Sequence, residues 1–178
     1  MRILCLSKIN ENALASWTSV THRIYRSELS LTIIHKKWHS SSFFSKNGII
    51  AIRLRARERN IGIVNVYIGP NLKRDDFRAR VSDVSVCLDR LRTKELILGG
   101  DVNSFHHSWD HDSGNVSLHH NKVSRGKLIY ELLTRWDLTS VVDPVMENWT
   151  FRRGDYRSAI DICFISESVR RSLVTAGI

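Results

Sequence analysis

The run Glu95-Leu-Ile-Leu-Gly-Gly-Asp101-Val-Asn103 constrains this chain more than any other stretch of it. A short apolar segment bounded by glycine is a buried strand, and Gly99-Gly100 let the backbone leave the sheet without a Cβ clash. Side chains alternate with period two, so Asp101 and Asn103 share one side of the emerging chain. A carboxylate acceptor then stands beside a neutral amide donor. Such a pair can orient a water and take its proton while the amide steadies an anionic oxygen, as phosphate-ester hydrolysis requires. A Gly-Asp turn with Asn as an Asx cap would use the same residues without any chemistry.

The rest of the chain supplies strands and helices in alternation. Met1-Arg-Ile-Leu-Cys-Leu and Leu31 to His35 read as strands, and Ser40 to Gly48 reads as a loop. Two apolar segments, Ile49 to Leu54 and Ile61 to Ile68, form a hairpin joined by Arg55-Ala-Arg-Glu-Arg-Asn60. Arg53, Arg55, Arg57 and Arg59 fall on alternate residues, which in an extended chain makes either a basic track for phosphates or a solvated edge that resists aggregation. Phe77, Val81, Val84, Leu88 and Leu91 recur at helical spacing and mark an amphipathic helix over Asp75 to Arg92. A second helix spans Ser124 to Trp136 and buries Leu128, Ile129, Leu132, Leu133 and Trp136. Strands return at Leu138 to Val142, Asn148 to Phe151 and Ala159 to Ile165. This alternation indicates a layered α/β architecture. No repeat or linker divides the chain, which is expected to be one domain over residues 1–178.

Several segments follow one another in a recognisable order: Ile61 to Tyr67 with Ile-Gly-Pro70, Gly-Gly-Asp101-Val-Asn103, Trp109, Arg125-Gly126-Lys-Leu128, Trp149-Thr150-Phe151 and Ser158-Ala-Ile-Asp161. The set resembles the endonuclease/exonuclease/phosphatase superfamily, and within it the apurinic-endonuclease-type domain that non-LTR retrotransposons carry ahead of their reverse transcriptase. That group has a Tyr-x-x-Pro strand end, a Gly-Gly-Asp-x-Asn strand, a Trp six residues after the Asn and a later Ser-x-x-Asp strand. The match covers about residues 47–166. The resemblance implies an α/β two-sheet sandwich with outer helices, the DNase I-like fold, incomplete at both ends. The family's upstream Asn and Glu strands and its downstream Ser-Asp-His strand have no clear counterpart. Asn10, with Glu11 beside it, is the one alternative for the upstream ligand, set against a fragment or a decayed reading frame.

By the same resemblance the activity is Mg²⁺-dependent hydrolysis of DNA. Asp101 would orient or deprotonate the attacking water, Asn103 bind the scissile phosphate, Tyr67 donate its phenol to a phosphate oxygen, and Asp161 hold the catalytic His. The metal ligands stay unassigned; Mg²⁺ suits the chemistry because it binds through few carboxylates and keeps waters. Trp109, by stacking or wedging, and Arg152-Arg153, through phosphates, are candidate DNA contacts. Each has a structural alternative: Tyr67 as a core tyrosine with a wet hydroxyl, Asp161 as a buried carboxylate bonded to Ser158 or an arginine, Trp109 and the arginines as packing residues.

The charge agrees with a polyanionic partner. Lys and Arg total 27 against 18 acidic residues, a net charge of +9, and DNA is the natural candidate. No apolar run approaches the ~20 residues of a membrane span, so the expected setting is intracellular, nuclear within a eukaryotic retroelement, with no membrane and no obligate protein partner. Cys5, Cys87 and Cys163 are widely spaced among apolar neighbours and read as free buried thiols. His106-His107-Ser-Trp-Asp110-His111-Asp112 and His119-His120 crowd potential ligands into one loop, but without tight-knuckle spacing or cysteine a zinc site is the weaker reading of it. A second function class remains: a non-catalytic basic nucleic-acid-binding domain or decayed retroelement fragment. From the residue inventory alone, the chain with Mg²⁺ nicks plasmid no faster than its Asp101→Ala variant.

Overall fold

The computed structural model describes residues 3–7, 22–36, 38–56, 58–110, 120–141, 150–153 and 156–175. Strands β1 (Ile3–Ser7), β2 (His22–Arg26) and β3 (Ser30–His35) make an antiparallel sheet in the order β1-β3-β2. A larger mixed sheet runs β4-β5-β6-β7-β11-β8, from β4 (His39–Lys46), β5 (Ile49–Ala56), β6 (Arg59–Tyr67), β7 (Glu95–Asp101), β8 (Leu138–Ser140) and β11 (Asp161–Ser166). Strands β9 (Phe151–Arg153) and β10 (Tyr156–Ser158) pair separately. Among the described residues three helices accompany the strands: α1 (Arg74–Leu91), α2 (His120–Arg135) and α3 (Glu167–Thr175).

The pairing registers decide which side chains meet. On one face of the large sheet, Ile49, Ala51, Val64, Val66, Leu96, Leu98, Ile162 and Phe164 form a core with Phe77, Val84, Leu88 and Leu91 of α1 and Ile129, Leu132 and Leu133 of α2. On the other face, Ile50, Ile52, Leu54, Ile61 and Ile63 pack against Ile34 of β3, with Tyr25 and Trp38 beside them. The large sheet is therefore covered by helices on one side and by the small sheet on the other. This is the two-sheet sandwich with outer helices that the sequence leads one to expect. Asn65 ties the sheets together, its Nδ2 donating to the Leu31 carbonyl (2.7 Å) and the Thr32 hydroxyl (3.1 Å). Strand β6 is buried from Ile61 to Tyr67, Asn65 included, because both of its faces are covered.

Three sequence expectations change. Ser40 to Gly48 is not a loop: His39–Lys46 is an edge strand paired with β5, bulged between Ser42 and Phe44. Ladder bonds from one neighbour suffice for an edge strand, and the Ser40 hydroxyl accepts from the Tyr25 hydroxyl (2.9 Å) in the gap beside the small sheet. The second helix begins at His120, before Ser124, and Gly126 lies inside it rather than near its start. Glycine is needed there, since a Cβ would stand 1.7 Å from the Phe105 carbonyl oxygen. The arginine track is broken as well. Arg53 and Arg55 share a face, whereas Arg59 sits opposite Ala56 and belongs to the other. Arg53 donates to the Arg90 and Leu91 carbonyls at the C-terminal end of α1, where a cation is favoured. Arg59 grips both Glu95 carboxylate oxygens at 2.7 and 2.9 Å. Arg57 lies outside the described residues.

Candidate active site

Tyr67 closes β6, Asp101 closes β7 and Asp161 opens the antiparallel β11, so all three stand at one end of the large sheet. The register places them in a single row: Tyr67 is the cross-strand partner of Asp101, and Asp101 that of Asp161. The row continues the face that carries Ile63 and Asn65, which looks toward the small sheet.

Backbone hydrogen bonds carry the rim past the strand ends. Ile68 N–H donates to the Asp101 carbonyl (2.8 Å), Val102 N–H to Ile160 (3.0 Å) and Tyr67 N–H to Gly48 (2.7 Å). Gly99-Gly100 do not release the chain from the sheet, as β7 continues to Asp101. Gly100 instead lets the strands close up. Its φ is +130°, and a Cβ there would fall 1.9 Å from the Val66 carbonyl oxygen.

Asp101 and Asn103 come together tightly. Asn103 takes a left-handed φ of 44°, and both its backbone N–H (3.0 Å) and its Nδ2 (2.5 Å) donate to Asp101 Oδ1. The Nδ2 also donates to the Ile68 carbonyl at 3.0 Å. The Asx turn that sequence offered as the chemistry-free alternative is thus present, with Asp101 as its acceptor. Both residues are nearly buried, at 5% and 6% exposure. The Asn103 amide spends its donors on the carboxylate and the Ile68 loop, so in this arrangement it holds Asp101 in place rather than presenting an N–H to a phosphate.

Asp161 is exposed, unlike the buried structural carboxylate the apolar strand suggested. The Thr150 hydroxyl accepts from the Ile160 (3.1 Å) and Asp161 (3.0 Å) backbone N–H groups, which fixes the start of β11. The Ser158 hydroxyl, expected as a partner of Asp161, donates to Asp110 Oδ2 at 2.7 Å, and Ala159 N–H donates to the same oxygen at 2.9 Å. Asp110 is the buried carboxylate of this region, at 5% exposure. Sequence reasoning grouped it with the histidine loop, and its neighbourhood to Ser158 had no signal in spacing or composition.

Trp109 is not a surface wedge. The residue is 4% exposed, and its ring packs edge-on against Phe164 and stacks on His106, because a turn with Trp109 N–H donating to the His106 carbonyl (3.1 Å) folds it onto the helical core. Arg152 and Arg153 lie in β9, whose backbone pairs with β10; their side chains, and Trp149, are outside the described residues, as are Asn10, Glu11, His111, Asp112 and His119. His106 stacks on Tyr130, with ring centroids 4.3 Å apart, and its Nδ1 accepts from Ser108 N–H (3.2 Å). Burial lowers its pKa, and the charges of His107 and Lys127 push the same way. In this loop Asp110 spends its Oδ2 on Ser158 and Ala159, and among the described residues no group of three or more potential metal ligands gathers. Cys87 is a free buried thiol whose pKa burial pushes up to about 11, and burial raises that of Cys163 too, so neither is poised as a thiolate. Cys5 lies in β1, its side chain outside the described residues.

Sheet on sheet, helices outside, and polar side chains at one end of the strands are the arrangement that the resemblance to the endonuclease/exonuclease/phosphatase superfamily implies. The chain belongs to the endonuclease-reverse transcriptase family, whose model matches residues 61–177. Solved structures agree on the fold. The endonuclease domain of TRAS1, a telomere-specific non-LTR retrotransposon, superposes with a TM-score of 0.63 at 19% identity, over 83% of this chain and 66% of that one. The human Nocturnin catalytic domain gives 0.56 at 14% identity, over 93% and 69%. An endonuclease/exonuclease/phosphatase family protein from Leptotrichia buccalis gives 0.51 at 16% identity, over 88% and 64%. This chain therefore spans just under two thirds of the TRAS1 domain. No curated protein matches it in sequence.

Proposed function

We propose that this chain is the endonuclease module of a retroelement reverse-transcriptase polyprotein, built for metal-dependent hydrolysis of DNA phosphodiesters. The observation that carries the reading is the single row Tyr67-Asp101-Asp161, with Asp101 locked by Asn103. Asp101 would accept a proton from an attacking water, and its orientation, fixed by Asn103, would remove the cost of aligning it. Tyr67, beside it, would contact the phosphate, and Asp161 presents its carboxylate at the open rim.

The donor set suits Mg²⁺. Asp161 offers hard carboxylate oxygens at the rim, and Mg²⁺ binds through one or two carboxylates while keeping waters and taking phosphate oxygens. When bound, the ion would neutralise charge developing on the phosphoryl oxygens.

The test is nicking of supercoiled plasmid with and without Mg²⁺. The reading expects metal-dependent nicks that fall by about 10²- to 10⁴-fold in Asp101→Ala. Wild type no faster than Asp101→Ala, the outcome anticipated from the motif inventory alone, would assign the chain to the second reading, a non-catalytic DNA-binding module. The net charge of +9 is what favours that alternative.

A further inference from the structure

A cleft of about 630 Å³ opens between the start of α1 and α2, lined by Lys73, Arg74, Phe77, Arg78, Ser124 and Arg125 among others. Four of these side chains are cationic. Lys73, Arg74 and Arg78 are exposed and make no ion pair or side-chain hydrogen bond among the described residues. Arg74 and Arg78 stand one turn apart on the same helix face, a like-charge pairing that weakens a helix on its own. Of the two acids in that turn, Asp75 stands three residues before Arg78 and can offset part of its charge, but neither acid lines the cleft. The N-cap residue Lys73 caps no N–H with its side chain, so the positive end of an 18-residue helix faces the same space.

The cleft is also fixed to the candidate active site. Arg125 donates to the Pro70 carbonyl (2.7 Å) and to that of Leu72, and lies over the Phe77 ring with its guanidinium carbon 5.0 Å from the centroid. Pro70 and Leu72 belong to the loop that leaves Tyr67, and the same loop's Ile68 carbonyl accepts from Asn103. One hydrogen-bonded segment therefore connects the catalytic row to the basic cleft.

We propose that the Lys73-Arg74-Arg78-Arg125 cleft is a binding track for the phosphodiester backbone of duplex DNA flanking the cut site. The proposal rests on the endonuclease reading for its substrate. Arg125 builds the wall through its backbone bonds, while Lys73, Arg74 and Arg78 supply the charges that meet phosphates. The track reads no sequence, since every contact it offers is to backbone.

Fluorescence anisotropy with a short fluorescein-labelled duplex tests this. The double variant Arg74→Ala/Arg78→Ala should bind about tenfold more weakly, with the slope of log K against log [NaCl] shallower by about 1.8, two contacts at about 0.9 each. Arg171→Ala on α3 removes one charge elsewhere and should change affinity less than about twofold. Arg78→Glu should weaken binding further than Arg78→Ala, and thermal melts of each variant matching wild type exclude unfolding as the cause. A double variant that binds as tightly as wild type overturns the track, as does displacement of the duplex by millimolar inorganic phosphate, which would make this a site for free phosphate. Wild type that fails to bind the duplex overturns it too. Mg²⁺-dependent hydrolysis of bis(p-nitrophenyl) phosphate by wild type, lost in Asp101→Ala, judges the nuclease reading separately.

Discussion

Asp101 and Asp110 are both nearly buried, yet they serve different ends. Asp101 sits where strand, rim and Asn103 converge, and its place was legible because an apolar run, a glycine pair and period-two alternation all bear on it. Asp110 was not legible: a turn within residues 106–110 buries it, and its partners lie at Ser158 and Ala159. The same turn hides Trp109, whose aromatic character in sequence suits a core as well as a base stack. Asp110→Ala leaves the Ser158 hydroxyl and the Ala159 N–H without their acceptor, and should cost about 2–4 kcal/mol in urea denaturation, with Asp110→Asn milder. His106 has a pH signature. Its folded pKa is held below the ordinary imidazole value by burial, so the unfolded chain binds the extra proton first. The stability this represents is complete above about pH 6.5 and is lost as pH falls toward the folded pKa. His106→Gln should therefore lose less of its urea midpoint between pH 7.5 and 5.5 than wild type, whatever its stability at pH 7.5. An unchanged difference would show that His106 is not the titrating group.

Among the elements, the helix at Arg74–Leu91 was readable because tertiary burial follows its 3.6-residue period: Phe77, Val84, Leu88 and Leu91 are all buried. Strands β2 and β4 were not, since His22–Arg26 and His39–Lys46 are polar and owe their form to a neighbouring ladder. Helix α3 escaped notice as well, being short and mostly polar. Gly126 reverses ordinary helix propensity. Replacing a mid-helix glycine with alanine usually gains about 1 kcal/mol, but here the methyl meets the Phe105 carbonyl oxygen at 1.7 Å. Gly126→Ala should destabilise by about 1–3 kcal/mol as Phe105 and α2 are forced apart. Lys127→Ala, at the exposed next position, should stay within about 0.5 kcal/mol. A stabilised Gly126→Ala would mean that the loop carrying Phe105 yields freely.

For the molecule as a whole, the sandwich was legible through ordered motifs rather than through hydrophobic pattern. Strands β5, β6 and β7 are apolar at positions belonging to both faces, so their sequences do not tell which residues meet helices and which meet the small sheet. Pairing register supplies that. Charge adds a property of the entire surface: at +9, binding to duplex DNA should be tolerant of sequence and should weaken steeply with salt. An affinity unchanged between low and physiological ionic strength would contradict it. The position of β6, between two cores and between two strands, also has a consequence for solvent access in time. Its amides from Ile63 to Val66 are bonded into ladders with β5 and β7 under apolar cover on either side. They have no local opening through which to meet deuterium, and should exchange only when the chain unfolds globally, while those of the edge strands β4 and β8 exchange through fraying. Protection factors for Ile63, Val64, Asn65 and Val66 that converge on one free energy, equal to that from urea unfolding, would identify this strand as the last part of the molecule to open.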